Sequence, residues 1–152
     1  MKKGNTQVIA NIAWAFAKLD INAPTFFDAI EKQAESLVNE GSPQEIANTV
    51  WAYAKLGVKA PIVFTAIEKQ ADLLMTKGNT QDIANIAWAF AKLDIKAPNF
   101  FRAIENQAES LVKEGNRQDI ANTAWAFKKL GMKNPIFFSA MEENAEFVSE
   151  GG

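Results

Sequence analysis

The sequence predicts an all-α protein, an α-solenoid of four stacked helix-turn-helix repeats (αα-hairpins). Glycines recur every 37 residues, and five residues after each comes the pattern Ile-Ala-Asn-x-x-Trp-Ala-aromatic-x-Lys-Leu. A repeat of this length is typical of solenoids, whose core lies between neighbouring units. We therefore predict a single repeat array, with repeats at 4–40, 41–77, 78–114 and 115–151. Gly152 stands where a fifth unit would begin.

The first helix of each unit is predicted to begin after the glycine, at a residue that favours helix capping. These capping residues are Asn5, Ser42, Asn79 and Asn116. In the second unit Ser42 and Glu45 form a capping-box pattern, with Pro43 at the first helical position.

The predicted ends of the first helices differ between units. Gly57 and Gly131 are natural helix stops in the second and fourth units. The first and third units carry Asp20 and Asp94 at the same place, so we expect their helices to stop in a different way.

A proline opens the second helix of each unit, at a position where the missing N–H group costs little. The prolines are Pro24, Pro61, Pro98 and Pro135. In the first unit the apolar side of this helix carries Phe26, Phe27, Ile30, Ala34 and Leu37. The other side carries Asp28, Glu31, Lys32 and Glu35, which we interpret as solvated surface. Because the next glycine ends the helix, two helices of roughly 14 to 16 residues are predicted per unit.

Composition excludes several chemistries. The chain contains no cysteine and no histidine, so disulfides, cysteine metal sites and histidine-based catalysis do not apply. Its carboxylates and lysines recur with the repeat and converge nowhere, so we expect no enzyme, no metal site and no cofactor. The start of the chain, Met1-Lys2-Lys3, runs into Gly4 without an apolar segment, so no signal peptide is expected. Its likeness to the junction before the third unit indicates a longer parent array.

Charge is divided between the two halves of each unit. The parts before the prolines carry net charges of 0, +1, 0 and +3, and the remainders carry −3, 0, −1 and −4. The first helices are therefore neutral to basic and the second helices are acidic, although the whole chain has a net charge of −2. Different ligands are expected on the two sides.

A stripe of the first helix is predicted to face a ligand. On a helical wheel its positions lie i, i+3, i+7 and i+10 apart, opposite the apolar side. The four stripes are Val8, Asn11, Ala15 and Lys18; Glu45, Asn48, Ala52 and Lys55; Asp82, Asn85, Ala89 and Lys92; and Asp119, Asn122, Ala126 and Lys129. Side by side they would form a ladder of lysines and a ladder of asparagines. The alanines between the ladders would leave room for a ligand.

These residue types fit single-stranded RNA. The lysines would neutralise phosphates, one per unit, and the asparagines would bond to base edges. The variable first member of each stripe would set a base preference for its unit. Each feature also has a structural interpretation. The lysines would complement helix dipoles, the asparagines would fix the stacking register, and the glutamines Gln7, Gln44, Gln81 and Gln118 would assist capping. For the tryptophans Trp14, Trp51, Trp88 and Trp125 we favour packing over base stacking.

The stretch from Ser42 to Gly57 resembles the octotricopeptide repeat in its Pro-Gln, Asn, Trp-Ala and Leu-Gly arrangement before a proline-led second helix. The resemblance covers all four units through their shared Asn-x-x-Trp-Ala core. It implies an RNA-binding α-solenoid. Relatives of this family act on organellar transcripts as maturation, stability or translation factors, which implies a chloroplast or mitochondrion.

The sequence thus predicts a single-stranded RNA-binding helical repeat protein that contacts RNA along its first helices. The alternatives are a protein–protein interaction scaffold and a structural repeat array without a ligand. Weak end-to-end self-association is also predicted, because Ile9 and Phe16 in the first unit look like interior residues. No membrane partner is expected.

Overall fold

In the computed structural model, which describes residues 3–144, that part of the chain is all-helical, as the sequence predicts. The helices are α1 (Lys3–Lys18), α2 (Pro24–Lys32), α3 (Ala34–Glu40), α4 (Pro43–Leu56), α5 (Pro61–Lys69), α6 (Ala71–Lys77), α7 (Thr80–Lys92), α8 (Pro98–Asn106), α9 (Ala108–Glu114), α10 (Arg117–Lys129) and α11 (Pro135–Glu143). The predicted junction at Met1 and Lys2, the end of the fourth repeat and Gly152 lie outside the described residues. The repeat boundaries themselves stay a prediction.

The helices form two layers. The first helices, α1, α4, α7 and α10, pack side by side in chain order. In the other layer, α3 packs against α5, α6 against α8 and α9 against α11, so each unit contacts the one that follows it. This arrangement is consistent with a helical-repeat solenoid.

Aromatic side chains fill the core between the layers. The rings of Phe27 and Tyr53 lie 5.0 Å apart, and those of Phe64 and Phe90 lie 5.1 Å apart. Both pairs join a second-layer helix to the first helix of the next unit, because Phe27 lies in α2 and Tyr53 in α4. The hydroxyl of Tyr53 donates to the carbonyl oxygen of Phe27 at 2.9 Å, and burial raises the pKa of Tyr53. The core is therefore shared between units and does not belong to any one of them.

The second segments of the first three units depart from the prediction of one continuous helix. Each breaks at a glutamine into a nine-residue and a seven-residue helix, as in α2 and α3 at Gln33. Gln33 has φ −114° and ψ 26°, outside the helical region, and its N–H donates to the carbonyl oxygen of Ile30. Gln70 and Gln107 have nearly the same conformation. The break changes the direction of the chain while α3, α6 and α9 pack against the following unit.

The first helices end alike in all four units, which corrects the expectation for the aspartates. Gly57 and Gly131 adopt left-handed conformations with φ 70° and 69°. Asp20 and Asp94 adopt the same conformation with φ 55° and 57°. Aspartate tolerates this region better than most residues, so the first and third units use the same stop without glycine.

The repeat glycines act through close approach. Gly41 follows α3 in an extended conformation, with φ −74° and ψ 149°. A Cβ atom there would lie 2.6 Å from the carbonyl oxygen of Leu37, and at Gly78 one would lie 2.8 Å from that of Leu74. The glycine ends the helix as predicted, but the reason is steric, because the backbone does not adopt the left-handed conformation there.

Two acidic side chains of the second layer join neighbouring units, which corrects their interpretation as solvated surface. Glu31 accepts from the backbone N–H groups of Ile62 (2.7 Å) and Val63 (2.9 Å), at the start of α5. Glu68 accepts in the same way from Asn99 (2.7 Å) and Phe100 (2.8 Å), at the start of α8. A carboxylate at a helix N-terminus satisfies free donors and complements the helix dipole. These four hydrogen bonds therefore help to hold one unit against the next.

The described residues contain no helix long and apolar enough to cross a membrane. Across the same part of the chain, no group of three or more Asp and Glu side chains is placed to hold a metal ion.

Candidate nucleic-acid interface

The surface of the first helices carries a repeated stripe of four residues, which we call the Trp stripe. Its members lie i, i+4, i+7 and i+11 apart, a spacing that keeps them on one narrow face of a helix. They are Gln7, Asn11, Trp14 and Lys18 on α1; Gln44, Asn48, Trp51 and Lys55 on α4; Gln81, Asn85, Trp88 and Lys92 on α7; and Gln118, Asn122, Trp125 and Lys129 on α10. On each helix the stripe spans about 16 Å from glutamine to lysine.

The structure places the predicted lysines and asparagines together on this stripe. Lys18, Lys55, Lys92 and Lys129 are exposed in the last turns of their helices. The asparagine is exposed on α1 and partly buried on α4, α7 and α10. The lysine position also complements the helix dipole, so the structural interpretation of these lysines fits the same geometry. RNA contact by the lysines and asparagines stays a prediction.

The predicted row of accessible alanines is wrong. Ala52, Ala89 and Ala126 are completely buried, and the matching Ala15 is exposed on α1. This side of α4, α7 and α10 faces the first helix of the preceding unit, whereas the described residues place no helix on the matching side of α1. The small side chain lets adjacent helices approach each other. It does not leave room for a ligand.

The variable first member of the predicted stripe takes part in helix capping on α4, α7 and α10. Glu45 accepts from the backbone N–H of Ser42 (3.0 Å), and Ser42 Oγ accepts from the N–H of Glu45 (3.1 Å), which confirms the capping box. Asn79 and Asp82 form a second capping box on α7. On α10 the side chain of Asn116 accepts from the backbone N–H of Asp119. On α1 the helix already begins at Lys3, so the predicted cap Asn5 lies inside it.

The same carboxylates bind the preceding unit or lie against it. Thr6 donates to Glu45 Oε1 at 2.7 Å, and Thr80 donates to Asp119 Oδ2 at 3.1 Å. Asp82 and Asp119 are only 8% exposed, whereas Val8, their counterpart on α1, is 55% exposed. Glu45, Asp82 and Asp119 would have to give up these contacts to reach a base. Base recognition by the four variable positions stays a prediction that the geometry does not support.

Burial also shows in the electrostatics of Asp82. It raises the pKa of the Asp82 carboxyl, and the negative charge of Asp119 adds to the increase. The hydrogen bond from the Asn79 backbone acts in the opposite direction. This carboxylate is therefore part of the contact between units.

The tryptophans lie on the same helix face as the predicted lysines and asparagines, although the predicted ligand-facing stripe did not include them. Trp51 and Trp88 pack against the core, as favoured from the sequence, but they remain partly exposed within the Trp stripe. Trp14 and Trp125 are 45% and 38% exposed. The sequence spacing indicates this shared face, because each tryptophan follows the asparagine by three residues and precedes the lysine by four.

Two contacts show how the indole rings are arranged. The rings of Trp51 and Trp88 are stacked, with centroids 6.4 Å apart and planes inclined by 29°. The ammonium group of Lys18 lies 5.3 Å from the ring centroid of Trp14, a cation–π contact. Aromatic faces beside cationic groups are a common platform for single-stranded nucleic acids.

The glutamines complete the stripe at its other end. They are exposed, and Gln118 Nε2 donates to Asn122 Oδ1 at 2.9 Å. The capping bonds on α4 and α7 are made by the residue that follows the glutamine, Glu45 or Asp82, and this departs from the predicted capping role of the glutamines. Along each helix the stripe thus offers two amide groups, an indole face and an ammonium group.

Comparison with known proteins identifies one family. The family model described as RESC6, RNA-editing substrate-binding complex 6 protein, matches residues 2–150. No curated protein matches the chain. The match neither supports nor opposes the resemblance to the octotricopeptide repeat.

Proposed function

The chain belongs to the RNA-editing substrate-binding complex 6 protein family, and from this premise we propose that it binds single-stranded RNA along the Trp stripe. The observation that carries the proposal is the alignment of exposed lysine, amide and indole groups on one face of four successive helices. The family description names an RNA-editing complex that binds substrate, which supports RNA as the ligand.

Each group on the stripe has a distinct task in this proposal. Phosphates would lie along the lysine ends of the helices, where four ammonium groups are presented in a row. The asparagine and glutamine amides would donate to and accept from base edges, and the indoles would stack on base faces. A stacked array of four hairpins, an α-solenoid, would carry the strand across its helices at one contact per unit.

The acidic second layer favours this face over the other. Lys32 lies 3.4 Å from Asp28 and Lys113 lies 3.5 Å from Glu109, so basic groups of that layer are paired with acids on their own helices. RNA is repelled by uncompensated carboxylates and attracted to unpaired ammonium groups. The division of charge therefore orients the ligand toward α1, α4, α7 and α10.

The test is fluorescence anisotropy of a labelled single-stranded RNA pool at several salt concentrations. The quadruple variant K18E/K55E/K92E/K129E is compared with a control of the same charge change in the second layer, K32E/K69E/K77E/K113E. Four phosphate contacts predict a slope of log K against log salt of about −3, which the first variant loses. The control is expected to retain most of the slope. Equal binding by the wild-type protein and the first variant would refute the proposal.

A protein partner is a second candidate, because the first unit leaves apolar side chains uncovered. Leu19 is 68% exposed and Ile12 is 39% exposed, on a side of α1 against which the described residues place no helix. The family description also names a complex. Weak end-to-end self-association would use the same surface. Sedimentation velocity over a range of concentrations tests it, and a sedimentation coefficient that does not change with concentration rules it out.

A further inference from the structure

The stacked ring pair of Trp51 and Trp88 joins two neighbouring units at the surface of the Trp stripe. Their ring centroids are 6.4 Å apart, near the upper end of the range of roughly 4.5–7 Å over which aromatic pairs attract each other directly. The rings are stacked, with planes inclined by only 29°. A direct contact at this distance is weak, which leaves the two faces available to a flat ligand.

One inserted base requires the two rings to move apart. Bases stack at a spacing of about 3.4 Å, so one base between two rings requires their planes to be about 7 Å apart. The centroid distance of 6.4 Å includes any lateral offset of the rings, so their planes lie closer than about 7 Å and the two side chains must separate to admit a base. Both indoles are partly exposed, so the slot opens onto the surface that carries Lys55 and Lys92.

The spacing of the helices favours the same occupant. Packed helices lie about 8–10 Å apart, whereas neighbouring bases in a stacked strand lie about 3.4 Å apart. A strand that makes one contact per unit therefore cannot keep its bases stacked on one another. The separated bases lose their own stacking, and an indole between two of them restores it.

Trp14 shows the contrasting arrangement. Its ring is covered by the ammonium group of Lys18 from the same helix, 5.3 Å from the centroid. Trp51 and Trp88 instead belong to different helices, α4 and α7, which pack directly against each other. Insertion between them would link RNA binding to the contact between the second and third units.

We infer that one unpaired base of the RNA inserts between Trp51 and Trp88 and is stacked on both sides. The inference rests on the proposed function, and it adds a defined site for a base and a contact shared by two units. The flanking lysines Lys55 and Lys92 hold the phosphates on either side of the inserted base.

The first experiment compares two ligands on the wild-type protein. One is a labelled single-stranded oligouridine of eight nucleotides, and the other is an oligomer of the same length in which every base is replaced by hydrogen. Stacking predicts that the abasic oligomer binds on the order of tenfold more weakly at equal salt. Equal binding of both oligomers overturns the slot but leaves phosphate binding intact. Failure of both oligomers to bind at low salt overturns the proposed function as well.

The second experiment is a double-mutant cycle on the oligouridine. Trp51→Leu and Trp88→Leu keep an apolar side chain but remove the ring, and each is expected to weaken binding on the order of tenfold. The double variant should bind little more weakly than either single variant, because removing one ring already destroys the sandwich. Additive losses, or no loss, would overturn the slot.

Two controls separate stacking from a structural role. Trp51→Phe and Trp88→Phe retain an aromatic face, so they should recover most of the affinity that the leucine variants lose. Trp14→Leu and Trp88→Leu should act additively on binding, because these side chains lie on helices that are not neighbours. If the phenylalanine variants bind no more tightly than the leucine variants, stacking is contradicted.

Discussion

Residues 5–21 and 79–95 have the same sequence at every position except one, where Val8 stands in the first segment and Asp82 in the third unit. They form nearly the same local structure. Both segments are helical through Lys18 and Lys92. Both then turn through an aspartate in the left-handed conformation, with φ values of 55° and 57°.

Their surroundings differ greatly. Ile12 is 39% exposed and its counterpart Ile86 is 1% exposed, while Leu19 and Leu93 are 68% and 9% exposed. The third unit has the first helix of the second unit packed against it, and the described residues place no helix on that side of α1. Identical side chains therefore belong to the surface in one unit and to the core in another.

The difference separates two contributions that usually cannot be told apart. The helix stop is a local property, so it is the same in the two segments. Burial comes from the neighbouring unit, so it is present in one and reduced in the other. The same substitution made in both segments therefore separates the two contributions to stability. An equal effect indicates local structure, and an unequal effect indicates burial by the neighbouring unit.

The largest expected effect is the loss of a buried isoleucine. Ile86→Ala should lower the free energy of unfolding by about 2–5 kcal/mol, because it removes buried methyl groups and leaves a cavity. Ile12→Ala should lower it by less than about 1 kcal/mol, because the side chain is already partly solvated. Chemical denaturation of both variants measures the difference. Equal losses would mean that the two segments have the same environment in solution.

A smaller effect is expected at Asp82, the one position where the segments differ. The folded-state pKa of Asp82 is raised by burial, so the folded protein binds more protons than the unfolded chain at acidic to neutral pH. The contribution of this group to stability therefore falls as the pH rises through the folded-state pKa. Asn at this position cannot titrate, so Asp82→Asn should gain stability relative to the wild-type protein as the pH rises above about 4, the ordinary pKa of an aspartate.

Urea denaturation at several pH values tests this expectation. The matched control is Val8→Asn, whose stability relative to the wild-type protein should not depend on pH, since neither side chain titrates. If Asp82→Asn instead becomes less stable than the wild-type protein as the pH rises, the fold stabilises the charged form of Asp82, and the prediction is wrong.

The smallest effect is expected at the helix stops, and there the two segments should respond equally. Asp20→Gly and Asp94→Gly relieve a left-handed backbone conformation that Gly57 and Gly131 adopt in the other two units. Each should raise the free energy of unfolding by about 0.5 kcal/mol, since the relief exceeds the entropic cost of glycine. Thermal and chemical denaturation measure the gain. Unequal gains at the two sites would show that the stop depends on the neighbouring unit.

The sequence allowed much of the local structure to be predicted, because local structure follows from nearby residues. Ser42 and Glu45 were predicted to form a capping box and they do. The lysines and asparagines were placed on a common helix face, and they share one in the structure, where the asparagines of α4, α7 and α10 are partly buried. The break at Gln33 was missed, because the apolar spacing of Phe27, Ile30 and Leu37 continues across it as in one helix.

The exposed face itself was assigned with an error of one helical position. Alanine is small enough to lie at a helix contact or on a surface, so the wheel could not separate Ala52 from an exposed residue. Tryptophan has an apolar body and a polar edge, so Trp51 fitted the core as well as the surface. Glu31 was assigned to solvent because its partners, Ile62 and Val63, lie 31 and 32 residues further along the chain.

By itself the sequence determined the repeat, the helices, most of their caps and the division of charge between the two layers. These properties depend on residues within a turn or two of one another, and the same pattern occurs in all four units. Only the tertiary structure decided which side of each first helix meets its neighbour, which carboxylates join units, and how far apart the tryptophans lie. Those features depend on how one unit packs against the next, which is a property of two segments together and of neither alone.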